Sequence, residues 1–215
     1  MDETALSSPC RKERGNRTVK TVTDMLLYFL IAATVQNLVL TTGFGCSVMI
    51  KIVRRPEQLF RFGKLLLLFS LCTTALFFPV NRLLPDAWFA RMLRPLLILI
   101  ITALLYLAFT ALASRSAERY RSVRHILPLA AFNNIVIGIT LLINYQVSVP
   151  FLAAIGIAAG GAVSVVLLSA LTAEAIERLD NPDTPQAFRG LPATLVYLGL
   201  LAMALMGFQP TLNLI

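Results

Sequence analysis

The sequence predicts an all-α integral membrane protein in which six transmembrane helices form two inverted three-helix repeats, with broken or irregular first and fourth helices. The first reason is composition: the 215 residues are 57% apolar and only 14% charged, with a mean hydropathy of +0.76, whereas soluble proteins carry about 25% charged residues. The second is that the charges cluster in short stretches between long uncharged runs. The third is a polar motif that recurs in both halves of the chain.

The first three helices are predicted from uncharged runs. After Asp24, Lys64 and Arg94 come 26, 17 and 20 residues without Asp, Glu, Lys or Arg. A helix needs about 20 residues to cross roughly 30 Å of hydrocarbon. Each of these runs therefore predicts one span.

The second half of the chain predicts three more spans. The 49 uncharged residues that follow Arg124 are too many for one helix, and the polar stretch 144–150, which ends in proline, divides them into spans near 126–143 and 151–173. A last uncharged run of 26 residues, which begins at Gly190, contains the sixth span.

The segments outside the spans limit the possible functions. Residues 1–23 are polar and mixed in charge, which predicts an extension ahead of a six-span membrane domain at 24–215. The connections between spans are short, so any chemistry is expected in the bilayer or at its faces. The net charge of +8 is assigned to basic loops in contact with the lipid bilayer. Nucleic acid is not an expected partner, because the sequence contains no basic patch interleaved with aromatic residues.

The distribution of Lys and Arg predicts the orientation of the chain. The first, third and fifth loops contain 11 of the 19 basic residues, and the remaining 8 lie in the N-terminal tail and the second loop. Because cytoplasmic loops carry an excess of positive charge, the odd loops are predicted to face the cytoplasm. Both termini are then outside.

Two pairs of amides occupy equivalent positions in the two halves. Gln36 and Asn37 begin a five-residue pattern of polar and apolar residues that Asn133 and Asn134 repeat 97 residues later. Three spans separate the two copies, so the halves must cross the membrane in opposite directions, as in many transport proteins. The predicted repeats are residues 25–113 and 126–208.

These four amides predict a polar site near the middle of the bilayer. An amide is costly to bury in hydrocarbon without a hydrogen-bonding partner, so a symmetric set indicates a place where helices break or meet. Glycines close to both pairs would loosen a helix or allow close packing of backbones. These structural glycines are Gly43, Gly45 and Gly138. The alternative is that the amides only join helices through hydrogen bonds.

Other residue types give weaker signals. The predicted spans contain no Asp, Glu, Lys or Arg, which disfavours a proton relay of buried carboxylates. Glycine and alanine form a small-residue face on the fifth span, which would pack tightly within this subunit or against a partner. The three cysteines have neither metal-ligand nor disulfide spacing. They are Cys10, Cys46 and Cys72.

Short patterns in both halves carry a resemblance to one family. In the second half they run from Leu127 through Asn133 to Gly138 and from Phe188 to Gly190. The first half contributes Asn37-Leu38-Val39-Leu40, Gly45, Arg54-Arg55, Glu57 and Gly63. Over nearly everything after residue 22, the chain resembles the Rnf/Nqr family of membrane subunits, and most of all the RnfA/NqrE type.

The resemblance implies both a fold and a role. Such family members are six-helix inverted-repeat proteins of the bacterial inner membrane, and each pairs with a homologous six-helix subunit of opposite topology. Together with redox subunits they form an electron-transport complex that translocates Na⁺ or H⁺. By this resemblance the chain is at most one subunit of an oxidoreductase, and it is not catalytic alone.

The family also implies a [2Fe-2S] cluster, held by a cysteine in each of the two half-helix motifs. Here Asn134 stands where the fourth span of the family has its cysteine. In the first span Ser47 occupies the cysteine position, and Cys46 precedes it by one residue, about 100° around a helix. Cys46 is thus the candidate metal ligand, with Ser47 and Asn134 as the other cluster-facing positions.

Three hypotheses follow from these observations. The first is a subunit of an ion-translocating electron-transport complex. The second is a relative without the cluster that acts as a small transporter or channel, with the four amides lining its site. The third is an assembly subunit with no transport activity of its own.

Overall fold

A computed structural model describes residues 22–34, 40, 43, 48, 56–84, 88–115, 124–145, 149–179 and 190–206, and the structural statements below concern these residues. Their regular secondary structure is entirely helical. The helices are α1 (Val22–Thr34), α2 (Pro56–Leu83), α3 (Trp88–Ser114), α4 (Leu127–Ala131), α5 (Asn134–Tyr145), α6 (Phe151–Leu179) and α7 (Leu191–Met206).

The apolar helices coincide with the six predicted spans. Three of them, α2, α3 and α6, contain segments that are long and apolar enough to cross a membrane. Shorter apolar helices lie at the first, fourth and sixth predicted spans, where α4 and α5 together form the fourth. The prediction of an all-helical, multi-pass protein is therefore confirmed. The inverted repeat stays a prediction, because the contacts among the described residues do not test it.

The second and fifth spans are longer than their uncharged runs. Helix α2 has 28 residues and includes Arg61 and Lys64, and α6 has 29 residues and includes Glu174 and Arg178. A helix keeps its backbone hydrogen bonds after it leaves the hydrocarbon, so charged residues can occupy its end turns. The uncharged runs locate the apolar part of each helix and underestimate its length.

Helices α2 and α6 pack against each other as an antiparallel pair. The hydroxyl group of Ser70 on α2 donates a hydrogen bond of 3.1 Å to the backbone carbonyl of Ala158 on α6. Seven residues earlier on α2, Gly63 leaves no space for a side chain because Val166 of α6 lies against it. Large and small side chains thus interlock along this pair, as close packing requires.

The other helices surround this pair unequally. In the apolar segment of α6, 61% of the residues are buried, against 39% in α2 and only 11% in α3. Helices α3, α4 and α5 contact α2, while α5 and α7 contact α6. Helix α6 is therefore the centre of the bundle, and α3 lies at its edge with most of its surface uncovered by the described residues.

Helix α1 runs parallel to α6 at very short range. A side chain at Gly156 would meet the backbone carbonyl of Met25, and one at Gly160 would meet that of Phe29. Both contacts advance by four residues in the same direction along the two helices. The small-residue face of the fifth span therefore packs within this subunit, against α1 and, at Gly161, against Ile139 of α5.

Candidate functional site at the break in the fourth span

The fourth span is broken, as the amide pair predicts. Helix α4 ends at Ala131 and α5 begins at Asn134, close to the middle of the predicted span 126–143. Phe132, which follows the first piece directly, has φ −90° and ψ 34°, outside the helical region. Its N–H group still donates to the carbonyl of Pro128 at 3.0 Å.

Asn133 begins the second piece by capping it. Its side-chain Oδ1 accepts a 3.2 Å hydrogen bond from the N–H group of Ile135, and its backbone carbonyl accepts one of 3.0 Å from Val136. Asparagine is a preferred N-cap residue because its oxygen satisfies an N–H group that the first helical turn leaves free. The break is thus encoded locally, at the residue that the sequence singles out.

The nitrogen of this capping amide is buried and unpaired. The Asn133 side chain is 2% exposed, and its Nδ2 makes no hydrogen bond with any residue that the structure describes. Exchanging the oxygen and nitrogen of the amide would place N–H against the N–H group of Ile135, so the hydrogen bond fixes the orientation. A buried, unpaired donor beside the positive end of a helix favours an acceptor oxygen or an anion as its ligand.

The two neighbouring amides at the break differ in exposure. Asn134, the first residue of α5, is exposed, whereas Asn133 is buried. Phe132 is 43% exposed, and its ring lies 5.4 Å from that of Tyr106 on α3. An exposed amide halfway through an apolar span is costly against lipid. This surface is therefore one that another polar group should cover.

The structure adds a cluster of buried hydroxyl groups that the sequence patterns above do not predict. Thr74 on α2 and Thr140 on α5 have their Oγ1 atoms 3.5 Å apart, and Thr140 also donates to the carbonyl of Val136 at 2.8 Å. Thr73 is fully buried, and its Oγ1 makes no hydrogen bond within the described ranges. The missed signal is the spacing of Ser70, Thr73 and Thr74, which places three hydroxyl groups on neighbouring faces of one apolar helix.

Several predicted site residues lie outside the described residues. They are Gln36, Asn37, Gly45, Cys46 and Ser47. Gly43 has φ +71°, a left-handed conformation that glycine adopts without strain, and Gly138 is buried in α5. The structure therefore brings Asn133 and Asn134 to one break, while the proximity of the first-span motif to that break stays a prediction.

The described half of the site does not fit an iron–sulfur cluster. It offers two carboxamides and no thiolate, and iron in such clusters is held by cysteine sulfur. Carboxamide groups are poor substitutes because they are hard, neutral ligands. Among the described residues there is also no group of three or more His, Cys, Asp or Glu side chains that could hold a metal ion.

These features define a class: a multi-pass helical membrane protein with a broken fourth span. The sequence profile of the family described as "Rnf-Nqr subunit, membrane protein" matches residues 25–212. The chain therefore belongs to the Rnf-Nqr family, and the resemblance drawn from short motifs is confirmed.

Similar proteins cover almost the whole chain. An ion-translocating oxidoreductase complex subunit of Syntrophotalea carbinolica is 30% identical over 186 residues, covering 86% of this chain and 96% of the relative. The protein of the same name from Edwardsiella ictaluri is 32% identical over 194 residues, or 87% and 97%. The corresponding subunit of the Na⁺-translocating ferredoxin:NAD⁺ oxidoreductase complex of Acetobacterium woodii is 29% identical over 186 residues, or 86% and 96%.

Proposed function

We propose that this protein is a membrane subunit of an ion-translocating oxidoreductase complex that couples electron transport to the movement of Na⁺ or H⁺. The observation that carries the proposal is the family match over residues 25–212, which takes in nearly the whole predicted membrane domain. Relatives of nearly the same length are named as one particular subunit of such complexes. The match begins after the polar residues 1–23, which supports treating them as an extension.

The proposal includes an inverted repeat. What supports it is that two contacts of the second span correspond to two contacts of the fifth span. The second span, α2, packs against the third span and against the broken fourth, and the fifth span, α6, packs against the sixth and against the first. Exchanging the halves converts one set of contacts into the other. The site would then be formed by Asn133 and Asn134 together with Gln36 and Asn37.

The partners in this proposal are a homologous six-helix subunit of opposite topology and the redox subunits of the complex, in a bacterial inner membrane. Two features support a protein partner at one side of the bundle. Helix α3 has most of its apolar surface uncovered by the described residues, and Asn134 presents an amide at the break. A partner's polar group would satisfy that amide, which lipid chains cannot.

The proposal also concerns the cofactor. We infer that this chain supplies no fourth-span ligand to an iron–sulfur cluster, because Asn134 stands where the family has cysteine. The amides would serve instead as hydrogen-bonding groups at the break. Cys46, outside the described residues, would be the candidate thiolate of the first span.

Purification of the tagged chain from its native membrane tests the main proposal. We expect a second six-helix subunit and flavin- or iron-containing subunits to copurify, and we expect deletion of the gene to abolish ion uptake driven by the electron donor in inverted vesicles. Isolation of the chain alone, with unchanged uptake after deletion, would contradict the proposal.

Iron analysis of the same complex tests the cofactor inference separately. The complex should lack the iron and the absorbance of one cluster relative to a family complex with both cysteines, and Asn134→Cys should not reduce its assembly. The inference that this chain supplies no fourth-span ligand would be contradicted if this subunit held one cluster per complex and lost that iron in the Cys46→Ser variant. Such a result would not affect the proposed assembly of the complex.

A second function is a transporter or channel that works without electron transfer. The Nδ2 of Asn133, unpartnered among the described residues, favours it, because a buried donor at a helix break is a common part of solute sites. The chain reconstituted alone into liposomes should then move an ion or small solute with no electron donor. Asn133→Ala should slow that movement, and the absence of any flux would exclude this function.

A further inference from the structure

A long apolar groove lies between α2 and α6, and its described lining contains no residue of the broken span. Its volume is about 670 Å³, and apart from Lys64 and Glu174 every described lining residue is apolar or glycine. On α6 the lining runs from Ala162 to Glu174, which is about 18 Å at 1.5 Å per residue. The groove thus has the length and the surface of a site for an extended hydrocarbon chain.

The outer end of the groove lies at one face of the membrane. Because α2 and α6 are antiparallel, the first residue of α2, Pro56, and the last residue of α6, Leu179, are at the same end of the bundle. Glu174 is close to that end, and Phe60 on the groove wall is 71% exposed. The groove therefore opens where lipid headgroups begin and continues toward the hydrocarbon.

The two charged residues of the groove are not equivalent. Glu174 forms a salt bridge with Arg178, one helical turn away, with 2.9 Å between Oε1 of the glutamate and a guanidinium nitrogen of the arginine. Lys64 is exposed, and within the described part of the chain no salt bridge or hydrogen bond is formed by its ammonium group. Within the described residues, the groove consequently presents the positive charge of Lys64 without a bonded counter-charge, beside an apolar channel.

The position of Lys64 matches an interfacial cation. Its neighbour Gly63 lies against Val166 of α6, and Lys64 is the last charged residue before the uncharged run of α2. Side chains on a helix lean toward its N terminus, which for α2 is the outer end of the groove. A lysine so placed keeps its stem along the apolar wall and carries its charge toward the headgroup level.

We propose that this groove binds one anionic phospholipid, with an acyl chain between α2 and α6 and the phosphate on Lys64. An acyl chain fills the apolar length, and a phosphate supplies a counter-charge for Lys64. Basic pockets between transmembrane helices bind acidic headgroups by the same combination. This site does not depend on the redox role proposed above, since none of its described lining residues belongs to the broken span.

The test uses the full-length protein with its native partners in nanodiscs. Phosphatidylglycerol and phosphatidylcholine with identical acyl chains are compared, and the lipid retained after detergent washing is measured by mass spectrometry. Wild-type protein should retain phosphatidylglycerol in preference, and Lys64→Gln should lower that preference about fivefold, the effect of one basic residue near a charged surface. Arg124→Gln, an exposed cation outside the groove, is the matched control and should change nothing.

The chain-binding part is tested by filling the groove. Ala170→Phe places a ring in the groove and should reduce retention of both lipids, while Ala111→Phe, on an exposed position of α3, should not. If the Ala170→Phe variant fails to assemble, a photolabelling experiment on the wild-type protein takes its place. Phosphatidylglycerol that carries a photoreactive group in the middle of its acyl chain should then label residues 59–67 or 162–174.

Any one of these results would overturn the proposal: no preference for phosphatidylglycerol in the wild type, an equal effect of Arg124→Gln, photolabelling elsewhere, or no effect of a well-assembled Ala170→Phe variant. Glycerol phosphate at millimolar concentration distinguishes the source of the phosphate. Failure to displace the lipid supports a bound phospholipid, and full displacement would assign Lys64 to free phosphate instead.

Discussion

At the level of single residues, Asn133 is the side chain on which the broken span depends. It caps α5 through Oδ1, and its Nδ2 is buried without a partner among the described residues. Its neighbour Asn134 is exposed at the start of the same helix. Adjacent residues of the same type therefore have opposite roles: one shapes the backbone, and the other faces outward.

The capping role gives a stability prediction. Asn133→Ala should lower the free energy of unfolding by about 1 kcal/mol, because the N–H group of Ile135 loses its acceptor. Asn133→Ser should retain most of that stability, since serine caps almost as well. Thermal unfolding in detergent measures both, with Asn134→Ala as the control. Equal losses for the alanine variants at 133 and 134 would show that the cap does not contribute.

At the level of helices, the contact between α1 and α6 depends on glycine. Gly160 lies so close to the carbonyl of Phe29 that even one methyl group requires α1 to move. Backbone atoms cannot rotate away as a side chain can, so the contact tolerates no larger residue. Ser70 joins α6 to α2 in a different way, by a hydroxyl group that reaches the carbonyl of Ala158.

The close contact at Gly160 predicts a loss of stability when a side chain is added there. Gly160→Ala should destabilise the protein by about 1–3 kcal/mol, the usual cost of overpacking a close contact. Gly199→Ala is the matched control, because no atom of the described residues lies within 4 Å of a side chain added there. Alanine is the better helix former, so this variant should be neutral or slightly stabilising. The unfolding midpoints of the two variants test this prediction. Equal shifts would show that the close contact of Gly160 with α1 does not require glycine.

The hydroxyl contact predicts a smaller effect. Ser70→Ala should cost about 0.6 kcal/mol, the average for a hydrogen bond between membrane helices. Ser164→Ala removes a hydroxyl group that bonds to Gly161 within its own helix, and it should cost less. The difference between the two variants, measured by reversible unfolding in detergent, isolates the contact between helices. A larger loss for Ser164→Ala would argue against it.

At the level of the whole molecule, the distribution of charge predicts the orientation. With 11 of the 19 basic residues in the first, third and fifth loops, the positive-inside rule places both termini outside. An alkaline phosphatase fused after Ile215 should be active, and a cytoplasmic fluorescent reporter at the same position should be dark. The opposite pattern would reverse the orientation and the assignment of every loop.

Much of the fold follows from one-dimensional properties of the chain. Long uncharged runs determine where helices cross the bilayer, because hydrocarbon admits only backbone that is fully hydrogen-bonded. The amide pair at Asn133 and Asn134 marks the break, since asparagine caps a helix locally. The family is likewise readable from short motifs, which the match over residues 25–212 confirms.

Other properties depend on which helices become neighbours. Composition alone does not reveal that α6 lies at the centre, that its glycines receive α1, or that Thr74 meets Thr140, because these contacts join residues 66 to 131 positions apart in the chain. The different exposure of Asn133 and Asn134 also arises this way: their residue type is the same, and the direction in which the break turns each side chain makes one an internal cap and the other a surface amide.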